Sequence, residues 1–347
     1  MLIVAQKGRI VVDDSHGDSS EPIALMSITK SITALAIGCL IQDGALPSVD
    51  APAHAYLPRW GVGNRADITL RHILEHTSGL ESAAETQAVY ASPDHVHYAS
   101  LARLIAAPGE RFVYDNRAVA VFAQVVALVA HKPLDLFVYE RLYEPLGIAT
   151  RSWGHDAVGN PMVMAGARLT GRELLAIGQL VLDGGRAGDR QLVASTWLAE
   201  ATGRGSSANP LHGQLWWLVP AWTRHVIDEG TLAAWRAAGV DKDLIAKFEP
   251  LRDRELDPAP FDAAVADALG HDEASIARWV AQTRERDLPM HSTRSGPIIG
   301  CHASGYLGQH LVVLPARGVV AVRLIRPARH RQPEDSFHAF VQMVREL

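Results

Sequence analysis

The strongest constraint on this chain is a pair of β-branched hairpin signals at its two ends. Near the start, residues 2–5 and 9–12 flank Gln6-Lys7-Gly8, a short turn between two runs of strand-forming residues. Near the other end, residues 310–315 and 319–325 flank Ala316-Arg317-Gly318 in the same way. Two hairpins so far apart can share one sheet if the chain between them is a large insertion. That predicts an α/β fold. An antiparallel sheet forms from both termini (1–25 and 290–347), flanked by terminal helices, with a mostly helical domain (26–222) inserted between them. Residues 337–347 read as a closing amphipathic helix.

The middle of the chain supports the insertion. Residues 28–42 are apolar almost all round, as a buried helix requires, and Gly44 follows as a stop. Residues 70–76, 117–130, 134–142 and 171–182 carry helical spacing. Pro108-Gly109, Pro145-Leu146-Gly147 and Gly184-Gly185 punctuate them. Residues 223–289 differ, being polar throughout with short helices such as 232–238. They read as a helical excursion that either covers a cleft or decorates the surface, since long insertions cost little.

With 347 residues, 48% of them apolar and 20% charged, the chain has the make-up of a globular protein of one composite or two domains. A net charge of −5 leaves no general footprint for nucleic acid or an anionic membrane. The apolar runs 32–41 and 118–130 fall short of the roughly 18–20 residues of a membrane span. The opening run 2–5 is shorter than the roughly 7–15 residues of a secretory signal core. The expectation is a cytoplasmic protein without nucleic-acid or membrane partners. Cys39 and Cys301, both in apolar stretches, fit a reducing compartment.

The chemistry concentrates in three places. Ser27-Ile28-Thr29-Lys30 heads the buried helix, and residues three apart share a helix face. The Lys30 amine can therefore approach the Ser27 hydroxyl, which is a weak nucleophile until a neighbouring base takes its proton. Lys30 stands among Ile28, Ile32, Ala34, Leu35 and Ile37, and a lysine committed to an apolar helix points to a buried functional amine. The helix N-terminus also favours developing negative charge. In the second place, Tyr114-Asp115-Asn116, a phenol can relay a proton and Asn116 offers an orienting amide. In the third, His302-Ala303-Ser304-Gly305-Tyr306 leads into the hairpin at His310. Gly305 lets a substrate carbonyl approach the strand, and the Tyr306 N–H can pair with that of Ser27 as an oxyanion hole.

Taken in order, the three resemble the S-x-x-K, Y-x-N and K/H-T/S-G motifs of the serine β-lactamase and penicillin-binding-protein superfamily. The resemblance is strongest to its class C β-lactamase-like esterase and amidase branch, and it runs over most of the chain. Residues 26–31, 68–79, 108–116, 144–148, 174–185 and 215–217 look like family blocks. Residues 152–160 with Ala303-Ser304-Gly305 are similar to the 6-aminohexanoate-dimer-hydrolase subgroup. The resemblance implies a β-lactamase-like fold and an enzyme that needs no cofactor and no metal. In it Ser27 is the acylated nucleophile, and Lys30 and Tyr114 are the proton-transfer pair. Asn116 orients Lys30 or the substrate amide, and Ser304, Gly305 and Tyr306 form the strand edge beside the oxyanion. One departure matters: where β-lactamases and DD-peptidases commonly carry a lysine in the third motif, this chain has Ala303. That lysine supplies a cation for the substrate carboxylate, which leaves His302 or an arginine to compensate.

The implied function is a serine hydrolase acting on a small ester or amide. Its alternatives are an acyltransferase using the same acyl-enzyme with an amine or alcohol acceptor, a β-lactamase or DD-peptidase, and a binding module without catalysis. Trp216 and Trp217, with His302, are expected to shape the substrate site. His72-Ile73-Leu74-Glu75-His76 also matches an inverted zinc-peptidase pattern, but Thr77-Ser78-Gly79 ends the helix at once and no third ligand follows, so packing is the simpler account. There is no G-x-S-x-G elbow, no dinucleotide fingerprint and no phosphate loop.

Overall fold

The computed structural model describes residues 1–15, 21–83, 85–286, 288–329 and 337–346. Parts of the expected terminal domain (16–20, 330–336 and 347) lie outside the described residues. The two hairpins do meet in one sheet. Strands β1 (Leu2–Gln6), β2 (Arg9–Asp14), β3 (Trp217–Pro220), β4 (Ile298–Gly305), β5 (Gln309–Leu314) and β6 (Val319–Arg323) form six strands in the order β2-β1-β6-β5-β4-β3. The first and last strands of the chain pair antiparallel, with Ile3 opposite Val322 and Val4 opposite Ala321. The β1–β2 turn is made by Lys7 (φ 49°) and Gly8 (φ 76°), the left-handed pair that matches the twist of a tight hairpin.

The central strands are continuous apolar runs because both faces of the sheet are covered. Along β5 and β6, Leu311, Val313, Val320 and Val322 join one core. The alternate residues Val312, Leu314, Val319 and Ala321 join another with Phe340 and Val344 of the closing helix, Phe337–Glu346. This is the two-residue alternation of a pleated strand. The first core contains helix α1 (Ile28–Gln42), of which every residue from Ile28 to Leu40 is buried. Helix α2 spans Leu70–Leu74. The expected helix over 117–130 opens as a 3₁₀ turn, Ala118–Val121, before helix α3, Phe122–Ala130, and His131 stops it in the left-handed region (φ 56°). The expected helix over 134–142 is α-helical at Leu134–Val138 and widens to a π turn at Tyr139–Tyr143. Helix α4, Gly171–Leu182, has the expected bounds and a capping box of Thr170 and Glu173.

The expected division between a terminal sheet domain and a helical domain is corrected here. Residues 1–219 and 298–347 form one compact unit, because α1, α4 and the inner face of the sheet bury their apolar side chains in a single core. Strand β3, inside the segment expected to be helical, is an edge strand of the terminal sheet. The second unit, 220–297, is wider than the expected 223–289 excursion. It is not only polar decoration: Ile227, Leu232, Trp235, Phe248, Phe261 and Trp279 make a core of its own. Its ends are joined by antiparallel pairing of Thr223–Val226 with Ser292–Ser295. Its helices Glu229–Ala237 and Glu273–Gln282 start on Asp228 and Asp272 caps, so the polarity seen in the sequence belongs partly to helix ends.

Helix α4 approaches the sheet closely at Gly178, where an added methyl would overlap Val320 and come within 2.7 Å of Leu311. Alanine normally gains about 1 kcal/mol over glycine inside a helix. Overpacking costs about 1–3 kcal/mol. Gly178→Ala is therefore expected to lower stability by about 0–2 kcal/mol, read as a fall in the urea midpoint, despite its better helix propensity.

Candidate active site

Ser27 is the N-cap residue of α1, and its neighbour Met26 is held in the left-handed region (φ 51°). A non-glycine residue there costs of order 1–3 kcal/mol and persists only where its surroundings fix it. What fixes it is the segment 164–169. The Leu25 N–H donates to the Ala167 carbonyl (2.9 Å), the Ala167 N–H donates to Thr29 Oγ1 (3.1 Å), and Ile23–Ala24 pairs with Arg168–Leu169. On the other side Gly305 presses against this turn. A side chain at 305 would overlap the Leu25 carbonyl and stand 3.0 Å from Met26 Cβ. The third sequence motif thus packs directly beside the residues that precede Ser27, and only glycine permits that approach.

Lys30 Nζ donates to Ser27 Oγ at 3.0 Å and to the Met164 carbonyl at 3.0 Å, and Lys30 is only 2% exposed. The spacing of three residues on α1 produces the first contact, and the fold supplies the second. Tyr114 closes the group: Lys30 Nζ lies 5.0 Å from its ring centroid, within reach of a cation–π contact. The structure thus brings Ser27, Lys30 and Tyr114 together, with Gly305 beside them.

The remaining candidates divide. Trp217 is half-buried and stands near Tyr114 (ring centroids 6.1 Å) and His302 (6.2 Å), close to parallel with both. Trp216 is corrected: it lies just ahead of strand β3 and is fully buried in the main core, so it offers no surface to a substrate. His302 is 4% exposed, and its Nδ1 lies 3.2 Å from Ser304 Oγ, which is also 3.0 Å from His310 Nδ1. Ser304 is thus engaged with two imidazoles. Ala303 is buried. The Tyr306 side chain is 68% exposed, so what it offers at the strand edge is its backbone. Asn116 is not brought to Lys30: its Nδ2 donates to Thr86 Oγ1 (3.3 Å), and its Oδ1 is buried without a partner among the described residues.

Four neighbours went unassigned in the sequence reading. The Met164 carbonyl is a backbone group, which no residue pattern announces. Phe112 and His212 pack around Trp217 at 6.1 and 4.8 Å, and the His76 ring lies 4.6 Å from that of Tyr114. His76 belongs to the H-x-x-E-H pattern, but its φ of 56° turns it off the helix that carries His72. His72 Nδ1 instead caps α2 through the Thr69 N–H, and Glu75 pairs with Arg71. Among the described residues no group of three His, Cys, Asp or Glu side chains could hold a metal ion. Cys39 and Cys301 are both buried, and burial pushes both thiols up to about 12.

Burial also sets the charge states around the site. Burial first, and then its neighbours His212 and Lys30, push His76 well below the usual imidazole range. Burial drives His212 down to about 3. Burial raises the Asp115 carboxyl to about 6, against the backbone N–H groups of Arg117 and Ala118, which lower it. The two imidazoles are thus held neutral, and Asp115 gives up its proton only as the pH rises through about 6.

A family model described as Beta-lactamase matches residues 1–328. Esterase EstB from Burkholderia gladioli is 30% identical over 178 residues, covering 43% of this chain and 45% of that protein. The D-alanyl-D-alanine-carboxypeptidase/endopeptidase AmpH from Escherichia coli K12 is 30% identical over 138 residues, covering 36% of this chain and 35% of that protein. These matches span less than half the length of either relative. A class C beta lactamase structure from Rhodobacter sphaeroides superposes with a TM-score of 0.60 at 16% identity, covering 99% of this chain and 93% of that one.

Asp115 gives a signed expectation. Its native carboxyl keeps the proton up to about pH 6, against an ordinary value of 3.8. The folded chain therefore binds the extra proton between those values. This group weakens the fold above pH 6, and the cost fades as the pH falls towards 4. Asp115→Asn is expected to gain roughly 1–3 kcal/mol at about pH 7.5 and little at about pH 4, measured by urea unfolding at both.

Proposed function

We propose that this chain, which belongs to the beta-lactamase family, is a serine hydrolase that cleaves a small ester or amide through an acyl-enzyme on Ser27. The observation that carries the reading is the 3.0 Å contact between the buried Lys30 amine and the Ser27 hydroxyl, with the Tyr114 ring beside that amine. A hydroxyl in contact with one proton-accepting group and near a second is the arrangement nucleophilic catalysis needs.

In this mechanism the Ser27 proton passes to the Lys30–Tyr114 pair as Oγ attacks the substrate carbonyl carbon. The resulting oxyanion is met by the Ser27 and Tyr306 backbone N–H groups. The proton is then delivered to the leaving alcohol or amine as its bond to the carbonyl carbon breaks. Water repeats the sequence in reverse: it loses a proton to the same pair, attacks the acyl carbon, and Ser27 leaves with its proton restored. Met164 holds the Lys30 amine in place throughout. Half-buried Trp217 and neighbouring His302 form the wall against which the acyl or leaving group packs.

The names of two relatives, an esterase and a carboxypeptidase/endopeptidase, fit an ester or amide carbonyl as the reacting group. The buried Ala303 favours the ester or amide reading over a β-lactam one. That position offers no cation for a carboxylate, and a substrate anion left unpaired on desolvation is strongly disfavoured.

Intact-mass analysis after exposure to p-nitrophenyl esters, an amide panel and a penicillin tests this. A covalent acyl adduct is expected on the native chain and not on Ser27→Ala, with p-nitrophenyl ester turnover falling by roughly 10³-fold or more in that variant. A long-lived penicillin adduct is not expected. Undiminished turnover in Ser27→Ala would remove Ser27 from the chemistry.

A further inference from the structure

The segment after α2 and the segment that carries Tyr114 are bound to each other at three points. The Gly109 N–H donates to the Thr77 carbonyl (2.7 Å), the Val113 N–H donates to the His76 carbonyl (2.8 Å), and the Asp115 N–H donates to His76 Nδ1 (3.2 Å). His76 therefore holds both neighbours of Tyr114, one with its backbone and one with its ring. The same ring packs on the Tyr114 ring at 4.6 Å, tilted by 40°. Phe112 meets the edge of the imidazole at 5.9 Å, and His212 lies 5.1 Å away. His76 is 3% exposed.

We propose that His76 is the positioning residue for Tyr114: its Nδ1 fixes the backbone that follows the tyrosine, and its ring sets the plane of the phenol beside Lys30. The inference rests on Tyr114 taking part in proton transfer, as proposed above. Because Nδ1 accepts a hydrogen bond, the neutral ring carries its proton on Nε2. Burial disfavours its protonation, which preserves the acceptor at Nδ1. A protonated imidazole would put an N–H against the Asp115 N–H and turn an attractive contact repulsive. The left-handed backbone at His76 (φ 56°) aims the ring back at the 112–115 segment rather than along α2. Asparagine tolerates that conformation and presents an acceptor where Nδ1 stands.

A double-mutant cycle with a p-nitrophenyl ester tests the inference. His76→Leu removes the acceptor and is expected to lower kcat by about 10–100-fold with KM within about twofold, because the phenol moves protons and does not hold substrate. His76→Asn is expected to keep most of kcat. In a Tyr114→Phe background, His76→Leu should lower kcat by less than about threefold further, since the group it positions is already gone. Should His76→Leu fail to fold, His76→Gln serves in its place, because its amide reaches the Nε2 position and leaves Nδ1 unreplaced. Equal losses from the His76 variant in both backgrounds would mean general damage and overturn the inference. So would equal losses in His76→Leu and His76→Asn. If Tyr114→Phe alone leaves kcat unchanged, the proton-transfer role of Tyr114 fails and this inference falls with it; loss in Tyr114→Phe without loss in His76→Leu overturns the His76 role only.

Discussion

The structure depends on one awkward placement, an amine on a helix that is buried on every side. Helix α1 has no solvent face along residues 28–40, so Lys30 cannot reach water as a surface lysine does. A buried amine is tolerated only where its hydrogen-bonding capacity is met. Here the Ser27 hydroxyl and the Met164 carbonyl meet two of its donors, and the Tyr114 ring faces it at 5.0 Å. Each of these partners comes from a different stretch of chain. The segment 164–169 supplies one and also supports the strained Met26, the segment 112–115 supplies another, and Gly305 packs on the turn that precedes Ser27. The chemistry of the site and the requirement to satisfy one buried amine are the same geometric demand.

That demand explains the architecture around it. A helix with no exposed face needs apolar cover from all directions, and the sheet provides one side of it through the inner residues of β5 and β6. The sheet in turn is apolar on both faces and needs the closing helix on its far side, where Phe340 and Val344 sit. Local chemistry and global packing agree at each level: left-handed residues in the β1–β2 turn, a capping box on α4, a glycine where helix and sheet come closest. Such agreement is what gives a sequence one deep native basin.

Burial sets the charge of the polar groups near Lys30. His76 and His212 are neutral through burial, and Asp115 holds a proton more tightly than an exposed aspartate does. A protonated imidazole there would set a positive charge beside the Lys30 amine, which burial disfavours. Phe112, His212, Trp217 and His302 pack with Tyr114 as one group of rings, and Tyr114 faces the Lys30 amine.

Much of this was legible in the residues alone. The two hairpins could be read because turn chemistry and β-branched runs are local properties. Helix α1 and the Ser27–Lys30 contact could be read because a helix brings residues three apart together whatever surrounds it. The kinship of the three motifs to a known family joined Tyr114 and Gly305 to them. Other features were decided only by tertiary structure. Trp216 and Trp217 are chemically equal, and packing buries Trp216, just ahead of β3, in the core while Trp217, the first residue of β3, stands near Tyr114. Asn116 donates to Thr86, 30 residues away in the chain, a contact that no local pattern announces. The core of the 220–297 unit gathers a few apolar residues from each of several short helices, such as Leu232 and Trp235, Leu244 and Phe248, and Phe261 and Val265, which only packing brings together. Met164 and His76 act through a carbonyl and a left-handed turn, neither of which has a residue signature. Sequence determines what a segment can do with its near neighbours. Which distant segment lies against it follows from how the whole chain buries its apolar surface at once.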